Sequence, residues 1–188
     1  MIRKDPIIIN EFYHIFNRGF DKKKIFLNKD DYIRFLSTIL RYQEEFRTIK
    51  MYSYCLLPNH YHFLLKDISI KWKSVIPDFM RKLQNSYAKY FNIKYWTKWQ
   101  LFEWRYKSNL IDNENYFLSC ISYINANSLK HNIVSNINDW PYSSYNYFTK
   151  WITFESTPVL ENNFWVWLNF NEIYNKYLDK DLTPVLEF

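Results

Sequence analysis

Apolar positions along this chain switch repeatedly between a spacing of two and a spacing near 3.6, and the order of the switches outlines a fold. Residues 7–17 alternate apolar and polar and end at Asn17-Arg18-Gly19, which predicts a strand closed by a glycine turn. A basic loop, Lys22-Lys23-Lys24, follows. From Asp30 the residues Tyr32, Phe35, Leu36, Ile39 and Leu40 recur at helical spacing, predicting a helix to about Phe46 with Asp30 or Asp31 as its cap. Two β-rich runs, 49–57 and 60–66, flank Pro58-Asn59, a tight-turn signal that makes them a hairpin.

Residues 74–91 place Val75, Phe79, Leu83, Tyr87 and Tyr90 on one face of a second helix, with Arg81, Lys82 and Lys89 off it. Residues 101–111 read as a further strand carrying Arg105 and Lys107. Asp112-Asn113-Glu114 then caps a third helix through about Ala126, with Tyr116, Cys120, Tyr123 and Ile124 in its pattern. Strand, helix, strand, strand, helix, strand, helix is the order of the split βαβ unit. The expected class over residues 7–126 is therefore α+β, a ferredoxin-like antiparallel sheet with helices on one face. Beyond Trp140-Pro141-Tyr142-Ser143-Ser144 the periodic signals weaken. Residues 7–148 thus read as one domain and 149–188 as an accessory tail, with Trp151, Trp165 and Trp167 and a short helix over 171–178.

At 188 residues the chain is long enough for one core and too short for two ordinary domains. It has a single glycine, which excludes the Gly-rich phosphate cradles of P-loop and Rossmann enzymes. Residues 1–150 hold 23 Lys and Arg against 13 Asp and Glu, whereas residues 151–188 hold 2 against 6. A body of net +10 favours polyanionic partners, nucleic acid first among them, although a solvated lysine-rich surface has the same composition. Aromatic residues make up 22% of the chain, and most are expected in the core rather than stacked on bases. Cys55 and Cys120 lie in apolar segments with no ligand spacing and read as buried thiols. No leader-like pattern opens the chain and no apolar stretch reaches membrane-span length, so a soluble, cytoplasmic protein is expected.

Candidate chemistry concentrates in Leu57-Pro58-Asn59-His60-Tyr61-His62, which holds two of the four histidines. Alternate side chains of a strand share a face, so His60 and His62 point the same way, about 6–7 Å apart, while Tyr61, Phe63 and Leu65 fill the other face. Buried imidazoles need partners for their ring nitrogens. A divalent metal is one such partner, and a hydrogen-bonded core is another; the spacing alone does not choose. Tyr123 and Asn127 sit about 6 Å apart on one face of the third helix, where a phenol and an amide oxygen can approach one ion. Tyr13 with Asn17 and Tyr142 with Asn146 share that spacing.

Taken together, these residues resemble a known family. Tyr13-His14-Ile15-Phe16-Asn17-Arg18-Gly19 looks like its opening strand, and His60-Tyr61-His62 matches its His-hydrophobic-His motif. Leu101 to Ser108 matches the strand before its catalytic helix, Tyr123-Ile124-Asn125-Ala126-Asn127-Ser128 its nucleophile segment, and Trp140-Pro141-Tyr142-Ser143-Ser144 the motif beyond. Over about residues 12–148 the chain is similar to the single-tyrosine HUH transposases, and within them to the REP-associated tyrosine transposases.

The resemblance implies that His60, His62 and Asn127 hold Mg²⁺ or Mn²⁺, and that Tyr123 attacks a phosphorus of single-stranded DNA. The product would be a 5′-phosphotyrosine link and a free 3′-hydroxyl, with the bond energy kept for rejoining. It also implies DNA ends folded as hairpins, and a monomer or a homodimer. Phosphate contacts are expected from Arg18, Arg81, Lys82, Lys89, Arg105 and Lys107. Two other functions fit the same residues: a catalytically silent nucleic-acid-binding protein, and a histidine-metal phosphoesterase that forms no covalent bond.

Overall fold

The structure, a computed structural model, describes residues 6–146; the expected tail, with its helix at 171–178, lies outside them. Four strands and three helices follow the expected order: β1 (Phe12–Arg18), α1 (Lys29–Glu45), β2 (Ile49–Leu57), β3 (His60–Asp67), α2 (Ile76–Lys94), β4 (Lys107–Ile111) and α3 (Glu114–Lys130). The strands form one sheet in the order β2-β3-β1-β4, antiparallel throughout. This is the ferredoxin-like order: each βαβ half places its crossover helix on the same face.

The alternation of β3 divides the molecule. Tyr61, Phe63 and Leu65 are fully buried with Phe35 and Ile39 of α1 and Phe79, Leu83 and Tyr87 of α2 in the main core. Between them, His60, His62 and Leu64 face the other way. There α3 lies across β2 and β3 and builds a second, smaller cluster from Cys55, Leu57, Leu64, Cys120, Ile121 and Ile124. Both thiols are buried and free, as their apolar settings predict. Among the described residues no helix is long and apolar enough to cross a membrane.

Several boundaries differ from the sequence pattern, each for a local reason. β1 begins at Phe12 rather than at residue 7, because Asn10 adopts φ 63° and its N–H turns to the Asp67 carbonyl at 2.8 Å. The cap of α1 is Asn28, not Asp30 or Asp31. Its side chain accepts from Asp31 N–H at 3.3 Å, and the Asp31 carboxylate accepts from Asn28 N–H at 3.2 Å, a capping box that starts two positions before Asp30. Burial alone would raise the Asp31 carboxyl, but hydrogen bonds from Lys94, Leu27, Tyr95 and Tyr90 hold it below its usual range. β4 spans only Lys107–Ile111, since residues 101–106 meet the end of β1 through an isolated Gly19–Phe102 bridge and the Glu103 N–H bond to the Arg18 carbonyl instead of a ladder. Finally, α3 continues past Ala126 to Lys130, which carries Asn127 and Ser128 inside the helix.

Candidate active site

The site grows out of strand register. His60 pairs with Arg18 and His62 with Phe16, while His14 stands opposite Leu64, so His14, His60 and His62 share the α3 face. All four histidines of the chain form a row of rings. Centroids are 5.1 Å apart for His14–His62, 5.2 Å for His60–His62 and 4.8 Å for His60–His131. The Tyr123 ring comes down from α3 edge-on to this row, 5.5 Å from His62 and 5.8 Å from His14.

Each strand histidine has one nitrogen tied back. The His60 Nδ1 lies 2.6 Å from Asn59 Oδ1, and Asn59 Nδ2 donates to the Lys22 carbonyl at 3.2 Å, which fixes the amide's orientation. Asn59 Oδ1 therefore accepts, Nδ1 of His60 carries the proton, and Nε2 is its lone-pair nitrogen. The His62 Nδ1 lies 2.9 Å from His14 Nε2, with both rings fully buried. Burial pushes His14 and His60 down to about 3, with His131 and Arg18 adding to the fall at His60. The same cause, reinforced by His14, His60, His131 and Lys130, holds His62 well below the ordinary imidazole value. Near neutral pH all three rings are uncharged, the state in which imidazole ligates a metal.

Helix α3 supplies the rest. Asn113 caps it by accepting from Tyr116 N–H at 2.8 Å. Nearly every residue from Ser119 to Ser128 is buried, because the helix is held by the sheet beneath and by the segment after it. That segment is the Trp140-Pro141-Tyr142-Ser143-Ser144 motif: Leu56 N–H donates to the Tyr142 carbonyl, Trp140 Nε1 to the Leu56 carbonyl, and Ser144 N–H to the Tyr54 carbonyl. Ser144 Oγ donates to Asn125 Oδ1 at 2.8 Å, and Asn125 Nδ2 donates to Ser53 Oγ at 3.1 Å. The network fixes α3 against β2 and so fixes where Tyr123 lies.

One turn beyond Tyr123, Asn127 is fully buried and donates Nδ2 to the Tyr123 carbonyl at 2.8 Å, while its Oδ1 meets no hydrogen-bond donor. A buried amide oxygen without a donor is costly unless something electropositive takes it. No three His, Cys, Asp or Glu side chains group to hold a metal among the described residues. A third protein ligand would therefore be of another type, and Asn127 Oδ1 fits that role: two neutral imidazoles and one amide oxygen make a donor set suited to a divalent cation.

Comparison with known proteins gives the family of the chain. The family model for IS200-like transposases matches residues 9–127, more than half of the chain. The chain belongs to the IS200-like transposase family. It is 25% identical over 138 residues, 66% of this chain and 74% of the other, to a Haemophilus influenzae protein named as a REP-associated tyrosine transposase. A solved REP-associated tyrosine transposase bound to a REP hairpin has the same fold, with TM-score 0.62 and 17% identity over 78% of this chain and 84% of that one.

Within this family member the basic candidates fall in two groups. Arg18 and Lys107 share the α3 face: Arg18 is beside His60 and paired to Glu103, and Lys107 stands opposite Phe16, itself opposite His62. Arg105 is exposed just before β4. In contrast, Arg81, Lys82 and Lys89 ride on α2, which packs on the opposite face of the sheet. Arg81 pairs with Asp78 at 3.1 Å and Lys82 pairs with Glu45. The structure therefore does not bring these three to the histidines, because a helix's polar side faces solvent whichever side of the sheet it covers. Sequence reasoning also missed His14, His131 and Lys130, whose Nζ lies 5.1 Å from the Tyr123 ring centroid. The order β3-β1 made His14 a neighbour of the histidine strand, but only the register brought its ring to His62.

Proposed function

We propose that this transposase-family chain nicks and rejoins single-stranded DNA at hairpin-bearing ends through a covalent bond to Tyr123. The observation that carries the reading is the approach of the Tyr123 ring to His62, one helical turn from the donor-free Asn127 oxygen. The similar solved structure holds a REP hairpin, which makes hairpin ends the substrate class to test.

His60, His62 and Asn127 would hold Mg²⁺ or Mn²⁺, which supplies Lewis-acid polarisation of the scissile phosphate when bound. The protein's own part follows from its residues. Tyr123 is buried to 8% exposure, so its phenol is held in one orientation rather than sampling solvent. Its oxygen attacks phosphorus, the phosphorus–O3′ bond breaks, and the leaving 3′-oxygen takes up a proton as the phenol loses one. The Lys130 ammonium stands 5.1 Å from the Tyr123 ring centroid, a cation over the ring that helps hold it in place. Asn59 and His14 hold the two histidine rings in their orientations, and Lys107 and Arg18 draw the phosphate backbone to this face. Reversal by the 3′-hydroxyl of a second strand joins it without a nucleotide cofactor.

The test is incubation of hairpin-bearing single strands with the protein and Mn²⁺, read on a denaturing gel. Wild type is expected to give a protein–DNA adduct that Tyr123→Phe abolishes. His60→Ala and His62→Ala are expected to lose cleavage while retaining DNA binding. Cleavage without an adduct would replace this reading with a hydrolytic phosphoesterase. Binding with neither would replace it with a silent binding module.

A further inference from the structure

The helical face of the sheet, away from the histidines, carries a groove of about 480 Å³ between α1 and α2. Arg34 of α1 forms one wall, and Ser86, Lys89, Tyr90, Ile93 and Lys94 of α2 form the other. Ser86, Lys89, Tyr90 and Ile93 line one side of α2 because they stand three and four residues apart. Tyr90 is half-buried and Ile93 is 65% exposed, so the floor is apolar and open.

The rim is cationic and incompletely matched. Lys94 is taken by the buried Asp31 carboxylate at 2.8 Å, and earlier in α2 Lys82 pairs with Glu45 and Arg81 with Asp78. Arg34 and Lys89 are exposed, and neither pairs with a carboxylate among the described residues. The Arg34 guanidinium stands 5.4 Å from the Tyr90 ring centroid, and Arg41, two turns along α1, reaches Ser86 Oγ at 3.0 Å. An apolar floor between unmatched cations suits an acidic, aromatic segment.

The chain itself contains one. Residues 151–188 hold 6 Asp and Glu against 2 Lys and Arg, the reverse of the basic body they follow. Within 151–165 the acids Glu155 and Glu161 alternate with Trp151, Phe154, Phe164 and Trp165, and there is no Lys or Arg. Pro158 at the middle disfavours a continuous helix and favours an extended run. The segment also starts on the correct side: at the β2 edge Tyr142 stacks on Tyr32 of α1 with ring centroids 3.9 Å apart. About nine residues, roughly 30 Å when extended, separate Asn146 from Glu155. A domain of this size is only about 40 Å across, so the groove is within reach.

We infer that residues 151–165 dock along the α1–α2 groove, their aromatic side chains on Tyr90 and Ile93 and their two glutamates at the Arg34 and Lys89 rim. Docked there, the segment lies across the sheet from His60 and His62 and leaves the α3 face to the substrate. The inference is independent of the chemistry assigned to Tyr123.

The test is amide hydrogen exchange of the full chain, read by mass spectrometry. Amides of 151–165 are expected to exchange more slowly than in a free peptide of the same sequence. Exposed ion pairs are individually weak, so both rim cations are reversed together: Arg34→Glu with Lys89→Glu is expected to lower that protection roughly ten-fold. Both side chains are exposed, so the protection of the sheet is expected to stay as in wild type and serves as the control for folding. Adding Glu155→Lys and Glu161→Lys to the reversed chain is expected to restore the protection. Peptide-like exchange in wild type, or unchanged protection in the reversed chain, overturns the docking. Protection that fades on dilution makes the occupant the segment of a second copy and overturns docking within one chain. Protection lost on adding hairpin DNA, with weaker DNA binding by the reversed chain, makes the groove a nucleic-acid surface and overturns it also.

Discussion

Replacing His14 by Phe should weaken divalent-metal binding without dismantling the fold. His14 Nε2 lies 2.9 Å from His62 Nδ1, and both rings are cut off from water. For His62 to offer Nε2 to an ion, its Nδ1 must carry the proton and donate it to His14. With Phe at position 14, the metal-loaded form keeps a buried N–H with no acceptor, at a cost of roughly 1–3 kcal/mol. Without His14 the ring also loses the partner that fixes its proton at Nδ1 and its orientation toward an ion, so Mn²⁺ binding is expected to weaken roughly 5- to 150-fold. Losses of outer ligand partners elsewhere, about 10–100-fold, fall inside that range. Phe is close to His in shape and suits the aromatic contacts with Phe16 and Tyr123, so the melting temperature is expected to move by a few degrees only. Titration calorimetry or the Mn²⁺ electron paramagnetic resonance signal measures the affinity of wild type, His14→Phe and His14→Gln, the last keeping an acceptor oxygen. Wild-type affinity in His14→Phe, or equal losses in the Phe and Gln variants, would refute the reasoning.

Other parts of the structure make further predictions. Ser144→Ala strips Asn125 Oδ1 and Tyr54 N–H of a buried partner and should lower the unfolding free energy by roughly 2–4 kcal/mol in a urea titration, with a change below about 0.5 contradicting the network. Gly19→Ala would drive a Cβ into the Lys23 carbonyl oxygen and onto Ile25 Cγ2 at 3.0 Å, so the 20–24 turn must move; a lowered melting temperature is expected, and an unchanged one would contradict it. In EDTA, stability should be flat from about pH 6.5 to 8 and fall as pH drops from 6.5 toward 3. Over that window the unfolded chain protonates His14 and His60 while the folded chain does not, losing up to about 1 kcal/mol per pH unit for each ring. Melting temperatures that hold constant from pH 7.5 to 5 would contradict this.

Much of this arrangement was legible as periodicity. The histidines fell on one strand face and Tyr61, Phe63 and Leu65 on the other because period two is a local property, and Tyr123 with Asn127 shared a helix face for the same reason. What depends on pairing was not legible. His14 reads as one more strand residue until β1 is set in register with β3, and residues 7–11 alternate like a strand although Asn10 turns them away. Likewise, Asp30 and Asp31 look like caps, but Asn28 adopts the extended conformation and Asp31 becomes its reciprocal partner. The basic side of α2 was visible, yet the face of the sheet it would cover was not, so Arg81, Lys82 and Lys89 were grouped with a site that lies across the sheet from them.

The most direct test of Tyr123 as nucleophile is mass spectrometry of the adduct after nuclease and trypsin digestion. The tryptic peptide spanning residues 108–130 holds two tyrosines, Tyr116 and Tyr123, which fragmentation separates. A nucleotide remnant linked through phosphate to Tyr123 is the expected result. The same remnant on Tyr116 or on any other side chain, or cleaved DNA with no modified peptide, would contradict it.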